Sequence, residues 1–394
     1  MKGHTRRVAI TGFGAVAPCG VGKADFWQGL LGPGLVDAGR SAEIKDWDPS
    51  PYYTSPKESR RADLSEQFAI AAAIEAFDQA GELAVEPSRI ATIFGTGVGG
   101  IHTLEEQIAV RLEKGDRRVS PFLVPMMMAN APGAAVSMRF GLRGPNETIV
   151  TACAAGTHAL VYVARLIAWG HADAALTGGT EHAGTLTSLA GFGNMTALSN
   201  TGTSRPFDAD RDGFVMGEGA AAFVLEEWES AVARGATILG EVLGGGSNAD
   251  AHHITAPAPG GTGAIACMHL ALDDAGLSAA DIRQINAHGT STPLNDAAEA
   301  AAVSAVFGDR SVPVVSTKGV TGHALGAAGA LEAAAVLLSF EHRQIPPTAN
   351  TKVLGDDMTI DLVMDEPRDW EPGPTLSNNF GFGGHNGSII IAPA

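Results

Sequence analysis

The hydrophobic positions of this 394-residue chain fall into short continuous runs separated by longer stretches with helical spacing. Runs at 7–11, 90–94, 148–151, 174–178, 220–225, 282–287, 312–316 and 386–392 are mostly apolar throughout rather than alternating. A strand covered by helices on both faces has this signature, because neither face meets water. The pattern therefore predicts layered α/β architecture. By contrast, 33–60 is rich in Pro, Tyr and charge, and predicts surface loops with short elements.

One pattern occurs twice. Residues 68–100 and 264–294 each read as a helix ending in Asp-x-Ala-Gly, a short acidic loop, a β-branched strand and then Gly-Thr, offset by about 195 residues. An offset of half the chain predicts two similar α/β halves, 1–240 and 241–394, rather than a solenoid of short repeats. No Pro/Ser-rich linker separates them, so the halves should share one core, with reactive groups converging at their junction.

Composition narrows the function. A hydrophobic content of 45% supports a large core, and 50 glycines against 6% aromatics suggest close helix packing and tight turns. The formal charge of −17 argues against nucleic acid, which needs a local or net excess of Lys and Arg. Cys19, Cys153 and Cys267 are too few and scattered for a disulfide framework or structural zinc site, which points to the cytoplasm. The N-terminal MKGHTRRVAITGFGAVAP imitates a secretory signal, but Thr11, Gly12 and Gly14 interrupt it. Val8 to Thr11 reads better as a buried strand entering a glycine turn. No run approaches the roughly 18 apolar residues of a membrane span.

The chemistry centres on Cys153. In ETIVTACAAGTHALVYVARLIAWG (147–170) a β-branched run ends in small residues before a helical stretch, placing the sulfur at a strand-turn-helix junction. Backbone N–H groups and a helix dipole there would favour thiolate, although burial as a small core residue is equally compatible with position alone. NAHGTSTP (286–293) puts His288 at a strand end, where α/β proteins place reactive groups. In STKGVTGHALGAAGALEAAAVLL (316–338), Lys318 and His323 flank a glycine loop. The helix dipole should keep His323 neutral, and Glu332 on that helix is positioned to pair with Lys318. NNFGFGGHNGSIII (378–391) sets Phe382 among glycines whose bare N–H groups suit an oxyanion hole or, equally, a hairpin.

With RPFDADRDGFVMGEGA (205–220) and SPFLVP (120–125), these segments closely resemble the β-ketoacyl-acyl carrier protein synthase II family of the thiolase superfamily, from Val8 to Ile391. The resemblance implies a thiolase-like α-β-α-β-α fold and a decarboxylative Claisen condensation. Cys153 would carry the acyl chain and His288 and His323 would stabilise the malonyl-derived enolate. The N–H groups of Cys153 and Phe382 would hold the oxyanion, with Lys318 and Glu332 as supports. Thr290, Thr292 and Phe214 resemble positions that meet the phosphopantetheine arm, which arrives on the carrier protein; no resident cofactor is implied. Val98, with Phe192 and Leu123, resembles the base of the acyl pocket, where valine would admit a longer chain. Positions matching Asn286, Glu332, Ser377 and Asn378 hold a monovalent cation in some relatives.

The basic clusters KESRR (57–61) and KGDRR (114–118) interrupt an acidic protein. Lys57, Arg60, Arg61, Arg117 and Arg118 are therefore candidates for docking acidic acyl carrier protein. A dehydrogenase is the competing enzyme class, since Gly95-x-Gly97-x-x-Gly100 and Gly12-x-Gly14-x-x-Ala17 each follow a strand. The first lacks a credible acidic partner and the second meets Pro18 where a helix should start. Adjacent His252 and His253 lack zinc-ligand spacing. Cys19, Cys267, His4, His171, His182 and His385 are assigned to packing or surface. Within the superfamily, two histidines favour elongation over the two-cysteine thiolases or the Cys-His-Asn initiating synthases. Non-catalytic chain-length partners typically lose the nucleophile, so the retained Cys153 argues against that role but not against a catalytic subunit bound to one. Fatty acid and polyketide service, and homodimer and heterodimer, stay open.

Overall fold

In the computed structural model, which describes residues 6–394, a 12-stranded mixed sheet runs through the molecule. Its main strands are β1 (Val8–Ala17), β2 (Ile90–Gly95), β3 (Asn146–Ile149), β4 (Ala174–Glu181) and β5 (Gly219–Glu227), then β6 (Gly240–Ala249), β7 (Gln284–Asn286), β8 (Pro313–Val315), β9 (Thr375–Gly381) and β10 (His385–Ala392). Outward from its middle, one side runs β1-β5-β4-β2-β3 and the other β6-β10-β9-β7-β8. Each side thus uses its strands in the order first, fifth, fourth, second, third. Among the described residues the sides meet through two register pairs, Ala9↔Glu241 and Ile10↔Gly240. We propose the boundary between halves at 240–241, the start of β6.

The helices that matter are α1 (Leu64–Ala80), α2 (Ile101–Lys114), α3 (Ala155–Ala168), α4 (Leu186–Asn194), α5 (Thr262–Ala275), α6 (Pro293–Phe307) and α7 (Ala328–His342). In α3, 12 of 14 residues are buried, and in α7, 13 of 15. Helices apolar on every face belong in the interior. These two pack on each other between the sub-sheets, while α1 covers β1, β5 and β4 from outside and α5 covers β6 and β10. The layers are α-β-α-β-α, the thiolase-like arrangement. One apolar cluster joins β1, α3, α7 and β10, so both halves share a core.

Small residues set these spacings. A Cβ on Gly156 would lie 2.9 Å from the Ala330 nitrogen and 3.0 Å from the Gly326 oxygen, so α3 and the approach to α7 touch at backbone distance. The glycine turn expected after Thr11 is absent. β1 continues through Gly12 and Gly14, where a Cβ would meet the carbonyls of Ala76 and Ala72 at 2.1 and 2.3 Å. Those glycines admit α1 against the strand. β6 escaped prediction because glycine interrupts its apolar pattern. β9 forms a hairpin with β10 through Gly383 and Gly384, at φ 86° and 75°, the bend that the glycines of 378–391 allowed. The stretch 33–60 is irregular apart from Ser50–Tyr52 and Pro56–Ser59. His4 lies outside the described residues, among which no helix is long and apolar enough to cross a membrane.

Candidate active site

β3 ends at Ile149 and α3 starts at Ala155, and the turn between them bears Cys153. Ala152 takes φ 50°, uncommon for a residue with a Cβ, so the turn is held against its preference. Gly381 of β9 presses on it: a Cβ there would lie 3.0 Å from Thr151 O and 3.1 Å from Cys153 N. The hairpin can therefore deliver the Phe382 N–H to the sulfur, where it favours thiolate, as do the Lys318 charge and the cysteine's own N–H. Burial outweighs them and pushes the thiol up to about 12. This corrects the expectation of a resting thiolate. The turn donors and helix start are present, but desolvation of a buried sulfur exceeds them.

His323 follows the Lys318–Thr321 turn, its backbone clamped to 215–217 by its N–H to Val215 O (2.8 Å) and by Gly217 N–H to its carbonyl (2.9 Å). Its Nε2 is 3.0 Å from Cys153 Sγ. His288 follows β7, and the Glu299 carboxylate on α6 accepts the N–H groups of His288 and Gly289, both at 2.7 Å. Asp296, one turn earlier, accepts from Thr290 (2.9 Å) and Ser291 (3.0 Å). The sulfur and one nitrogen of each histidine lie within 4.8 Å of one another. Both imidazoles are held well below their ordinary 6.5, first by burial and then by the Lys318 ammonium. They are neutral, as expected for His323, but burial and a cation cause it rather than the helix dipole.

Lys318 Nζ donates to His288 O at 2.5 Å and forms a buried ion pair with Glu332. It also stands 3.4 Å from His288 Nδ1, and Asn379 Nδ2 lies 3.3 Å from the same atom. Two donors facing Nδ1 make it an acceptor, which leaves Nε2–H for the cavity. That cavity, 330 Å³, is lined by Cys153, both histidines, Thr290, Thr292 and four phenylalanines, Phe192, Phe214, Phe380 and Phe382. Phe214 packs edge-on to His323, with centroids 5.2 Å apart. The Thr290 and Thr292 hydroxyls are 2.9 Å apart.

Other predicted residues stand elsewhere. Val98 and Leu123 do not line the cavity, and Val98 is 43% exposed. Leu325 lines the cavity and packs beside Gly97, the residue before Val98. Of the four cation candidates, Asn286 and Ser377 are register partners, and Asn286 Nδ2 donates to the Glu332 carbonyl at 3.2 Å. Alternation along β9 turns Asn378 to the outer face, against Met268 and Ser388, while the Glu332 carboxylate is engaged by Lys318 and Asn379. Only Asn286 Oδ1 and Ser377 Oγ, on register partners, are buried without a hydrogen-bond partner. Lys57, Arg60, Arg61, Arg117 and Arg118 are all exposed, and none forms an ion pair among the described residues. Arg61 stacks on Phe122, 4.3 Å from its centroid, which brings the first basic cluster against the segment following the second.

Sequence reasoning missed Asn379, which accepts from Thr157 Oγ1 at 2.5 Å and donates to Glu332 Oε2 at 2.7 Å. Period-two counting from Ser377 would have put it on the inner face, had β9 been recognised as a strand. Glu181 was missed too. Its carboxylate accepts from Gly97 N at 2.5 Å and Gly326 N at 2.9 Å. It fills the place a pyrophosphate would need in the Gly95-x-Gly97-x-x-Gly100 loop, and Gly12 and Gly14 lie inside a strand. Neither glycine motif is a dinucleotide site.

Comparison with known proteins matches residues 33–231 to "Beta-ketoacyl synthase, N-terminal domain" and 239–352 to "Beta-ketoacyl synthase, C-terminal domain". The chain is 43% identical to a 3-oxoacyl-acyl-carrier-protein synthase 2 of Synechocystis sp., covering 98% of both chains. Among solved structures it superposes on the ishigamide ketosynthase/chain length factor with a TM-score of 0.90, at 36% identity over 99% of each chain. It superposes at 0.89, with 29% identity over 99% of each chain, on a ketosynthase solved with its type II PKS acyl-carrier protein and bound to the hexaketide.

Proposed function

The chain belongs to the β-ketoacyl synthase family, and from that premise we propose that it elongates acyl chains by decarboxylative Claisen condensation, with Cys153 as nucleophile and His288 and His323 at the enolate. The observation that carries this reading is the buried meeting of one thiol with two neutral imidazoles in a single cavity.

In the first step Cys153 Sγ attacks the thioester carbonyl of an acyl chain borne on the carrier's phosphopantetheine. The thiol proton passes to the departing pantetheine sulfur, and the His323 Nε2–H, 3.0 Å away, donates to the cysteine sulfur as its charge develops. The N–H groups of Cys153 and Phe382 hold the oxyanion. In the second step a malonyl thioester loses carbon dioxide. The electrons of the broken C–C bond become an enolate whose oxygen accepts from His288 and His323. Carbon 2 attacks the acyl-enzyme carbonyl, the C–S bond breaks, and the cysteine sulfur regains a proton from solvent. Neutral imidazoles suit this work, since fixed donors in a dry site stabilise developing charge without being attacked as acids by the substrate carboxylate. Lys318, tied to Glu332 and to the His288 carbonyl, orients His288 and depresses both histidines.

Thr290, Thr292 and Phe214 are suited to the pantetheine arm, and Phe192 to the acyl chain, because all four line the cavity. The exposed basic side chains at 57–61 and 117–118 suit an acidic carrier protein. A second copy or a chain-length partner fits the face beyond edge strand β3. There Val98, Ile108, Leu112, Val124, Met128, Met138 and Val150 are exposed on contiguous elements. Asn286 Oδ1 and Ser377 Oγ could bind a structural cation.

The test offers wild type and Cys153→Ala a panel of acyl carrier thioesters with malonyl carrier protein, reading intact mass and elongated product. His288→Ala and His323→Ala should self-acylate without elongating. Equal loss of both steps would contradict this division of labour. Light scattering of the purified chain, alone and co-expressed with a chain-length partner, separates homodimer from heterodimer.

A further inference from the structure

We propose that His158 is a positioning residue that locks the nucleophile turn to the β9–β10 hairpin, and so fixes the spacing of the two oxyanion N–H groups. It stands five residues after Cys153 in the first turn of α3, buried, and does not line the cavity. Its ring nitrogens reach three separate elements. Thr151 Oγ1, at the entrance to the strained Ala152 turn, is 2.8 Å from Nδ1. Nε2 lies 3.0 Å from the Asn386 carbonyl on β10 and 2.9 Å from Ser247 Oγ on β6.

The carbonyl dictates the tautomer. Asn386 O can only accept, so Nε2 carries the hydrogen and Nδ1 accepts from the Thr151 hydroxyl. A neutral ring is also what burial favours. The ring packs on Gly387, where a Cβ would come 3.0 Å from both Cδ2 and Nε2. One rigid plane therefore spans from the residue before the turn to the residues just after the hairpin tip. The two N–H groups that converge on sulfur, those of Cys153 and Phe382, belong to the pieces so joined. Without the strut, the Gly381 contact and the Thr157–Asn379 hydrogen bond hold the two pieces together from one side only, and oxyanion stabilisation depends steeply on donor placement.

The proposal rests on the oxyanion role given to those N–H groups, and the experiment separates the two. His158→Leu, His158→Gln and Gly381→Ala are compared with wild type for single-turnover self-acylation from acyl carrier thioester, for iodoacetamide alkylation of Cys153, and for thermal stability. Alkylation passes through no oxyanion and serves as the control. His158→Leu should lose about 10²-fold in acylation rate at saturation with KM unchanged, while alkylation, which loses only the bias of the two N–H groups toward thiolate, falls less than about tenfold. His158→Gln, whose amide can still donate toward Asn386 O, should recover at least about tenfold of that loss. Should His158→Leu fail to fold, Gln alone must still show acylation slowed more than alkylation. Wild-type acylation in the His158 variants, with Gly381→Ala impaired, overturns the positioning role and keeps the hole. Unimpaired acylation in all three removes the oxyanion reading itself. Parallel loss of acylation and alkylation in both His158 variants reduces the residue to a packing role and overturns the proposal.

Discussion

The protonation of Cys153 gives the sharpest handle on the site. Burial moves the thiol from an ordinary 9.0 to about 12, a cost of about 4 kcal/mol for forming thiolate and about a thousandfold fewer anions at neutral pH. Alkylation by iodoacetamide consumes only the thiolate. The second-order rate constant, followed by intact mass, should climb tenfold per pH unit from pH 6 to 10 with no plateau. A plateau below pH 9 would refute the reasoning, since it would mean that His323 and the turn donors overcome desolvation in the resting enzyme. Lys318→Met sharpens the test. Its ammonium is the strongest influence favouring thiolate, so removing it should slow alkylation further at pH 8.5. If the prediction holds, loss of the thiol proton must accompany substrate attack rather than precede it.

Other outcomes follow from the same geometry. Lys318→Met should destabilise the protein by about 3–5 kcal/mol in chemical denaturation, because Glu332 is left buried without its cation; adding Glu332→Leu should restore stability but not condensation. Burial, reinforced by Asp63, raises the Glu66 carboxyl to about 8 from 4.5. The folded state therefore keeps a proton that the unfolded state releases, so stability falls as pH rises from about 4.5 to 8. Glu66→Gln should leave Tm unchanged at pH 5 and raise it at pH 8.5, by up to about 4 kcal/mol in stability. Reversing Arg60 and Arg61 to Glu should raise KM for carrier-bound substrate while leaving kcat and iodoacetamide alkylation alone, and a salt titration should narrow the difference.

Much of this protein is legible along the chain because the information is local. Continuous apolar runs betray strands that never meet water, and eight such runs correspond to eight of the ten main strands. The Cys153 turn and the histidine loops are marked by residue types that a strand-to-helix junction requires. β6 and β9 stayed hidden because their glycines and asparagines are explained only by what lies across from them. Gly244 and Gly246 face the backbone of α5, and Asn379 meets Glu332 and Thr157.

What tertiary structure alone decided is the charge state of the site and the company its residues keep. Sequence could place Cys153 near donors, but not weigh them against burial, which depends on how completely both halves close around the sulfur. It put Val98 and Asn378 at the site by position, whereas packing left Val98 outside the cavity and the pleat of β9 turned the Asn378 side chain away. His158, Glu181 and Asn379 act through partners far along the chain. Such pairings arise only when strands and helices take their places, because hydrogen-bond geometry is a property of distance in space and not of separation in sequence.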